Sequence, residues 1–313
     1  MSEKGFTRQD VVTENPDAEI NARVNDSLAT IGKKATVIRR AEANNVASAG
    51  YESTAISKGN RNTVASVGDN SRAFSDGTCN DTTSAGENSQ AATKGWCNNT
   101  TSAGIESKAI SVGHLNNTVA SAGSKSKAIN VGAGNSVASA GPDSIAVGKG
   151  KEDDVASAGI GSKATADGSE STVASAGDYS RASCKGFEGR ATSTGNYSRA
   201  KAEGVRCIAT ASGVNSGAEA NGKESIASAF GFRATARASQ GSWIVLAEVN
   251  ELRVLNIKAV RVDGKTIKAD TWYRLVNGEF VEADDVVADG FIEADDVLNK
   301  ELFAEAEPAK ANE

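Results

Sequence analysis

The chain has one histidine, one methionine, three prolines and four cysteines in 313 residues, and aromatics make up only 5% of it. Each scarcity excludes something. With His114 alone, no recurring Ser/His/Asp or His/carboxylate set can be built, so an enzyme is not expected. Four cysteines without a CxxC spacing offer no zinc site. So few large apolar side chains cannot fill an ordinary globular core over this length. No run of about 18 apolar residues exists to cross a membrane as a helix, so membrane insertion is not expected. Met1-Ser2-Glu3-Lys4-Gly5-Phe6 lacks the apolar stretch of a signal peptide, so the expectation is synthesis in the cytoplasm without export by the general route. Lysines and arginines are nowhere clustered with aromatics, which argues against a nucleic-acid partner.

What is abundant is glycine, and it is periodic. Counting back from Gly231 in nines meets a glycine at every step to Gly123; after one step of ten the beat resumes from Gly113 to Gly50, twenty-one glycines in all. Serine follows alternate glycines by three residues, as at Ser53, Ser71 and Ser89, and asparagine follows most of the others, as at Asn62, Asn80 and Asn98. The repeat is therefore 18 residues, with halves such as Gly50-Tyr51-Glu52-Ser53-Thr54-Ala55-Ile56-Ser57-Lys58 and Gly59-Asn60-Arg61-Asn62-Thr63-Val64-Ala65-Ser66-Val67. Within each half the fixed positions are two apart, which is strand periodicity, and a glycine every nine residues rules out helix. The fold class predicted is all-β: a β-solenoid of about ten coils, two strands per 18-residue coil, with a small C-terminal antiparallel β domain. At about 4.8 Å per coil the stack would run roughly 50 Å.

Residues that stack on their own copies must match in size, so the fixed Ser/Asn, Ala/Val and Ser columns are assigned to the interior. Such a core is thin, and main-chain ladders and hydroxyl or amide side-chain ladders are expected to contribute much of the order. If Val46 and Ser48 point in, Ala47 and Ala49 point out, and with Ala65, Ala120, Ala122, Ala138, Ala140, Ala156, Ala158, Ala174 and Ala176 they form a methyl-lined face. This is the predicted oligomer face, with a homotrimer the preferred arrangement and a solvent-exposed sheet the alternative. The opposite sheet, carrying Lys58, Arg72, Asp76, Lys94, Lys127, Lys163, Arg181 and Lys185, is expected to be solvated.

Composition divides the chain into an N-terminal cap or attachment segment (1–41), the solenoid (42–240), a small β capping domain (241–283) and an acidic tail (284–313). Ser27-Leu28-Ala29-Thr30-Ile31-Gly32 keeps the register, since Gly32 lies eighteen before Gly50. Trp243–Glu248, Val254–Val262, Thr271–Val276 and Glu279–Val281 read as strands, with Asn277-Gly278 suited to a type I′ turn and both tryptophans, Trp243 and Trp272, carried into a core. From Glu279 onward twelve acids face only Lys300 and Lys310, so that end is a solubilising tail or a docking peptide for a basic partner.

The beat Ser53-Thr54-Ala55-Ile56-Ser57-Lys58-Gly59 resembles the head repeats of trimeric autotransporter adhesins, which implies a trimeric left-handed β-roll. With Gly241–Glu248 and Val262–Tyr273, the chain is also similar to uncharacterised Gly/Ser/Ala-repeat proteins of gut bacteria and their phages, which implies no established activity. Chemistry on the repeat is sparse. The corners carry one glycine and no recurring aspartate, so no calcium ladder and no cofactor are expected. His114 belongs to the single ten-residue step and reads as a corner insertion. Cys79 and Cys97 share one corner column as free thiols, while Cys184 and Cys207 replace interior serines. Aromatics at corners, Tyr51, Trp96, Tyr179, Phe187 and Tyr197, form either a binding ridge for a cell-surface glycan or receptor, or rings packed on neighbouring coils. Outward Thr63, Thr118 and Thr172 recur too irregularly for an ice-binding lattice. The reading that results is a structural or attachment protein, a trimeric phage fibre or virion-surface component in contact with other virion proteins. The alternatives are a bacterial adhesin exported by a non-standard route and an intracellular scaffold.

Overall fold

The computed structural model describes residues 10–13, 27–40, 43, 45–250, 253–284 and 291–302. Much of the expected N-terminal cap (1–9 and 14–26) and of the acidic tail (285–290 and 303–313) lies outside the described residues. The chain divides into two compact units, residues 1–139 and 140–313, and each is a β-solenoid.

In the first unit the strands fall alternately into two parallel sheets. One holds Ser27–Ile31, Asn45–Ala49, Thr63–Val67, Asp81–Ala85, Asn99–Ala103 and Thr118–Ala122; it is called the methyl sheet below. Asp10–Thr13 adds to its edge, parallel to Ser27–Ile31. The charged sheet holds Thr36–Arg40, Thr54–Lys58, Arg72–Asp76, Gln90–Lys94, Lys108–Val112 and Lys127–Val131. Each residue pairs with its own copy one coil away, as in Val46 with Val64 and Ala55 with Ala73. The ten-residue step is absorbed in the corner at Gly113–Asn116, so Thr100 still meets Val119 in register.

The corner geometry explains the glycine beat. At Gly68 φ is +129°, and a Cβ there would lie 2.2 Å from the carbonyl oxygen of Gly50, the equivalent residue one coil earlier. Only a residue without a side chain permits that approach. Two residues later the chain enters the left-handed region, at Glu52 (φ 57°) and Asn70 (φ 56°), and the corner amides then bond the next coil: Gly50 N–H donates to Val67 O (2.8 Å) and Glu52 N–H to Asp69 O (3.0 Å).

Side chains alternate, so Val46, Ser48, Val64, Ser66, Ala55, Ser57, Ala73 and Ser75 are buried, and with the corner columns they fill a narrow interior; Ile110 and Ile129, outward on the charged sheet, are buried as well. The asparagine column is an amide ladder: Asn62, Asn80, Asn98 and Asn117 each donate a backbone N–H to the side-chain oxygen of the next asparagine, at 2.8, 2.9, 2.9 and 3.0 Å. Hydroxyls bond in places and not as one continuous ladder: Thr93 donates to Ser111 on the next coil at 3.0 Å, and Ser53 and Ser66 meet across the interior at 3.4 Å. Stacked serines stand one coil apart, about 4.8 Å, beyond hydrogen-bond reach of one another. The hydroxyls of Ser57, Ser75, Ser89 and Ser107 accordingly find no partner among the described residues and act as small packing groups.

The second unit repeats the pattern with strands Asp154–Ala158, Thr172–Ala176, Arg190–Thr194, Ile208–Ser212 and Ile226–Phe230 in its methyl sheet. Its charged sheet holds Ile145–Lys149, Lys163–Asp167, Arg181–Lys185, Arg199–Glu203, Gly217–Asn221 and Thr235–Ala238. Here the interior columns vary, but in compensated pairs. Gly189 stands where asparagine or serine is usual, and a Cβ on it would meet the sulfur of buried Cys184 at 2.4 Å. Gly148 likewise leaves room for Asp153 and Val155.

The antiparallel C-terminal strands extend both sheets. Trp243–Asn250 continues the methyl sheet in parallel with Ile226–Phe230 before turning back as Arg253–Arg261. Tyr273–Val276 and Glu279–Glu282 close the charged sheet, joined by Asn277-Gly278 with φ of 50° and 75°, the two positive values of a type I′ turn. Trp243 is 44% exposed, contrary to the expectation of two core tryptophans, because its position is an outward one on the strand, while Ile244 and Leu246 face in.

Gly177→Ala should melt the second unit, lowering stability by about 3 kcal/mol or more, because its Cβ would lie 2.3 Å from Gly159 O and φ is +128°. Asn88→Gly, at φ 53°, should leave the thermal midpoint unchanged or raised. Circular-dichroism melts of the two variants check both.

Candidate functional site

Three outward columns cover each methyl sheet. In the first unit the central and trailing columns run Ala47, Ala65, Thr83, Thr101, Ala120 and Ala49, Val67, Ala85, Ala103, Ala122, all exposed or half-buried. In the second unit Ala140, Ala156, Ala158, Ala174 and Ala176 are exposed and give way to Thr192, Thr194, Thr210 and Ser212. Ala138, in the first unit, is exposed too. The surface is flat where the central and trailing side chains are short, with larger Ile31 and Phe230 in the trailing column, and nearly uncharged because Asp81, Asp154 and Arg190 interrupt only the leading column.

The opposite sheet differs from expectation in the second unit, where it is largely covered by the chain's own C-terminal segment. Helix Ala294–Leu302 lies against Ile145–Lys149 and Lys163–Asp167, burying Ala294, Val297 and Leu298 where Val147 and Thr165 face out. Lys149 and Asp295 form an ion pair that holds the Lys149 ammonium above and the Asp295 carboxyl below their usual ranges, through a hydrogen bond first and charge second. The Lys201 ammonium lies 5.8 Å from the Phe291 ring. Trp272 sits between two guanidiniums, Arg199 at 4.5 Å and Arg237 at 4.8 Å, and over Gly217, where a Cβ would lie 3.5 Å from its ring and 3.2 Å from Arg199 Nε. Buried Glu219 pairs with Arg237 at 2.7 Å. Sequence reading missed this cover, since Trp272, Phe291 and the helix carry no repeat signature; the one local signal was Gly217, a glycine off the nine-residue beat.

The corner aromatics do not make one ridge. Tyr51 stands in the corner after a methyl strand, with the Lys33 ammonium 5.5 Å from its ring. Trp96 is exposed in the other corner of the first unit, and Phe187 in the corresponding corner of the second lies 5.7 Å beneath the Arg206 guanidinium. Tyr179 and Tyr197 do come together, with ring centroids 5.1 Å apart and planes inclined by 5°. Both occupy the left-handed corner position, φ 59° and 56°. A bulky residue there costs about 1–2 kcal/mol that Gly would avoid. The buried Arg181 guanidinium secures the pair from behind, one nitrogen donating to the carbonyls of Tyr179 (2.9 Å), Ser180 (3.0 Å) and Tyr197 (3.0 Å).

His114 is exposed in its corner, and among the described residues no three His, Cys, Asp or Glu side chains stand together as metal ligands. No helix among the described residues is long and apolar enough to cross a membrane. Cys79 and Cys97 are exposed free thiols, and Cys184 and Cys207 are buried. Burial pushes the Cys184 thiol up to about 12, with the neighbouring Cys207 adding to it, and burial raises Cys207 as well. No protein-family model, curated protein or solved structure matches the chain.

At pH 8 the native protein should therefore titrate two thiols rapidly with a disulfide reagent, and Cys184 and Cys207 only after unfolding, since thiolate is the reacting form. Time-resolved thiol counting with and without denaturant, on wild type and Cys79→Ser/Cys97→Ser, measures this.

Proposed function

We propose that the chain is a non-enzymatic structural and attachment protein whose solenoid units self-associate through their methyl sheets, as the body of a homotrimeric fibre. One observation carries this reading. Where the second unit's charged sheet is covered by the chain's own helix and Trp272, its methyl sheet is left bare although it is the less polar of the two. Six strands at about 4.8 Å by five residues at about 3.3 Å give each unit a face of roughly 500 Å². Two such faces per chain, shared between two neighbours in a trimer, give about 500 Å² a side at each contact, roughly the 1,000 Å² total that a specific interface requires. Short side chains let identical sheets approach closely without ordering long rotamers, which keeps the entropic cost of association low.

The setting follows from the resemblance to Gly/Ser/Ala-repeat proteins of gut bacteria and their phages: a phage fibre or virion-surface component, bound to other virion proteins. Repeats supply length and stiffness, and corners supply variable positions for contact.

Light scattering should give a particle of three times the 32.0 kDa chain mass for wild type, and Ala158→Glu with Ala176→Glu should return the protein to monomer at micromolar concentration. Lys94→Glu, on the charged sheet, should leave the trimer intact. A monodisperse wild-type monomer would overturn the reading.

A further inference from the structure

Building on the attachment part of that reading, we propose that the corner over Gly161 is a binding slot for a neutral pyranose sugar, with Tyr179 as its platform. The parallel rings of Tyr179 and Tyr197 are separated by 5.1 Å, about one coil spacing, so their faces look along the stacking direction. Tyr197 covers one face of Tyr179. The other face looks toward the preceding coil, where the residue in register is Gly161, at φ +68°, which has no side chain of its own to cover the ring.

The rim of this gap joins one acceptor to apolar surface. Ile160, 62% exposed, precedes Gly161 in the same corner. From the coil before, the Asp143 carboxylate leans across, its Oδ1 only 2.6 Å from where a Cβ on Gly161 would be. Asp178 turns the other way, its Oδ1 accepting the Asn196 N–H of the following coil at 2.8 Å. An apolar plate edged by a carboxylate acceptor matches a pyranose, whose C–H face stacks on a ring while an equatorial hydroxyl donates outward. The carboxylate disfavours an anionic sugar, and the nearby Arg181 guanidinium is committed to three backbone carbonyls.

The test is binding of the full chain to immobilised neutral polysaccharides (dextran, mannan and galactan) beside heparin and a trimethylammonium resin. Retention is expected on at least one neutral polysaccharide, weakened about tenfold or more by Tyr179→Asn. Gly161→Tyr should abolish it by extending the stack into the slot; Tyr already occupies this backbone conformation at φ 59° and 56°, and the Asp143 carboxylate, 2.6 Å from the new Cβ, must swing aside to admit it. Tyr197→Asn, which leaves the open face of Tyr179 in place, should weaken retention less than Tyr179→Asn. No retention on neutral polysaccharides, retention on heparin or the cationic resin alone, or retention indifferent to Tyr179→Asn and Gly161→Tyr would each overturn the slot. Melting curves and light scattering on the same samples show that the variants are folded, and they separate failure of the slot from failure of self-association.

Discussion

Everything in this molecule depends on how closely one corner approaches the next. A Cβ at Gly50 would lie 2.1 Å from the carbonyl oxygen of Gly32, and at Gly195 2.3 Å from that of Gly177. Backbone meets backbone there, with no side chain between, and that contact sets both the coil spacing and the nine-residue beat. Once the corners are locked, the strands have no freedom of register: Val46 must meet Val64 and Ala55 must meet Ala73. The cross-section then admits only small side chains, so the solenoid gains little from apolar burial and draws its order from backbone ladders and the asparagine amides.

A cross-section this tight can change only in matched steps. Cys184 is larger than the serine it replaces, and Gly189 gives up a side chain beside it. Asp153 replaces the ladder asparagine, and Gly148 makes the room. Outside, the same rule operates: Gly217 opens the gap that Trp272 fills between Arg199 and Arg237, and Gly161 opens one above Tyr179. Glycines on the beat are thus demanded by the corner, whereas those off the beat mark something placed beside them.

This distinction explains how much was legible in the sequence. The two-sheet solenoid, the inward Val/Ser and outward Ala columns, the in-register Ser27–Ile31 strand and the Asn277-Gly278 turn follow from periodicity and turn chemistry, because each stacked residue must satisfy the same local rule as its copies. The C-terminal cover did not follow. Helix Ala294–Leu302 lies in what composition marks only as an acidic stretch, and its Ala294, Val297 and Leu298 acquire meaning only against Val147 and Thr165, over 120 residues earlier. Nor did the corner aromatics sort themselves: Tyr51, Trp96 and Phe187 follow a beat glycine by one residue and Tyr179 and Tyr197 by two, and only the last two fall on the same corner of adjacent coils and stack. A repeat makes its own lattice readable, but not the non-repeating chain that lies on it.

The distribution of these departures is itself an argument about function. The left-handed corner is common to the whole stack, occupied by Lys34, Glu52, Glu106 and Arg233 as well as by Tyr179 and Tyr197, so its strain belongs to the fold and not to any one coil. What sets the second unit apart is that it seals one sheet with its own chain, leaves the methyl sheet bare, and holds the carbonyls of two stacked tyrosines with a buried arginine. On these two features the proposed self-association and the proposed edge contact rest: short methyl side chains lose little entropy when a matching sheet covers them, and rings already held by stacking and by Arg181 need no further ordering to meet a ligand.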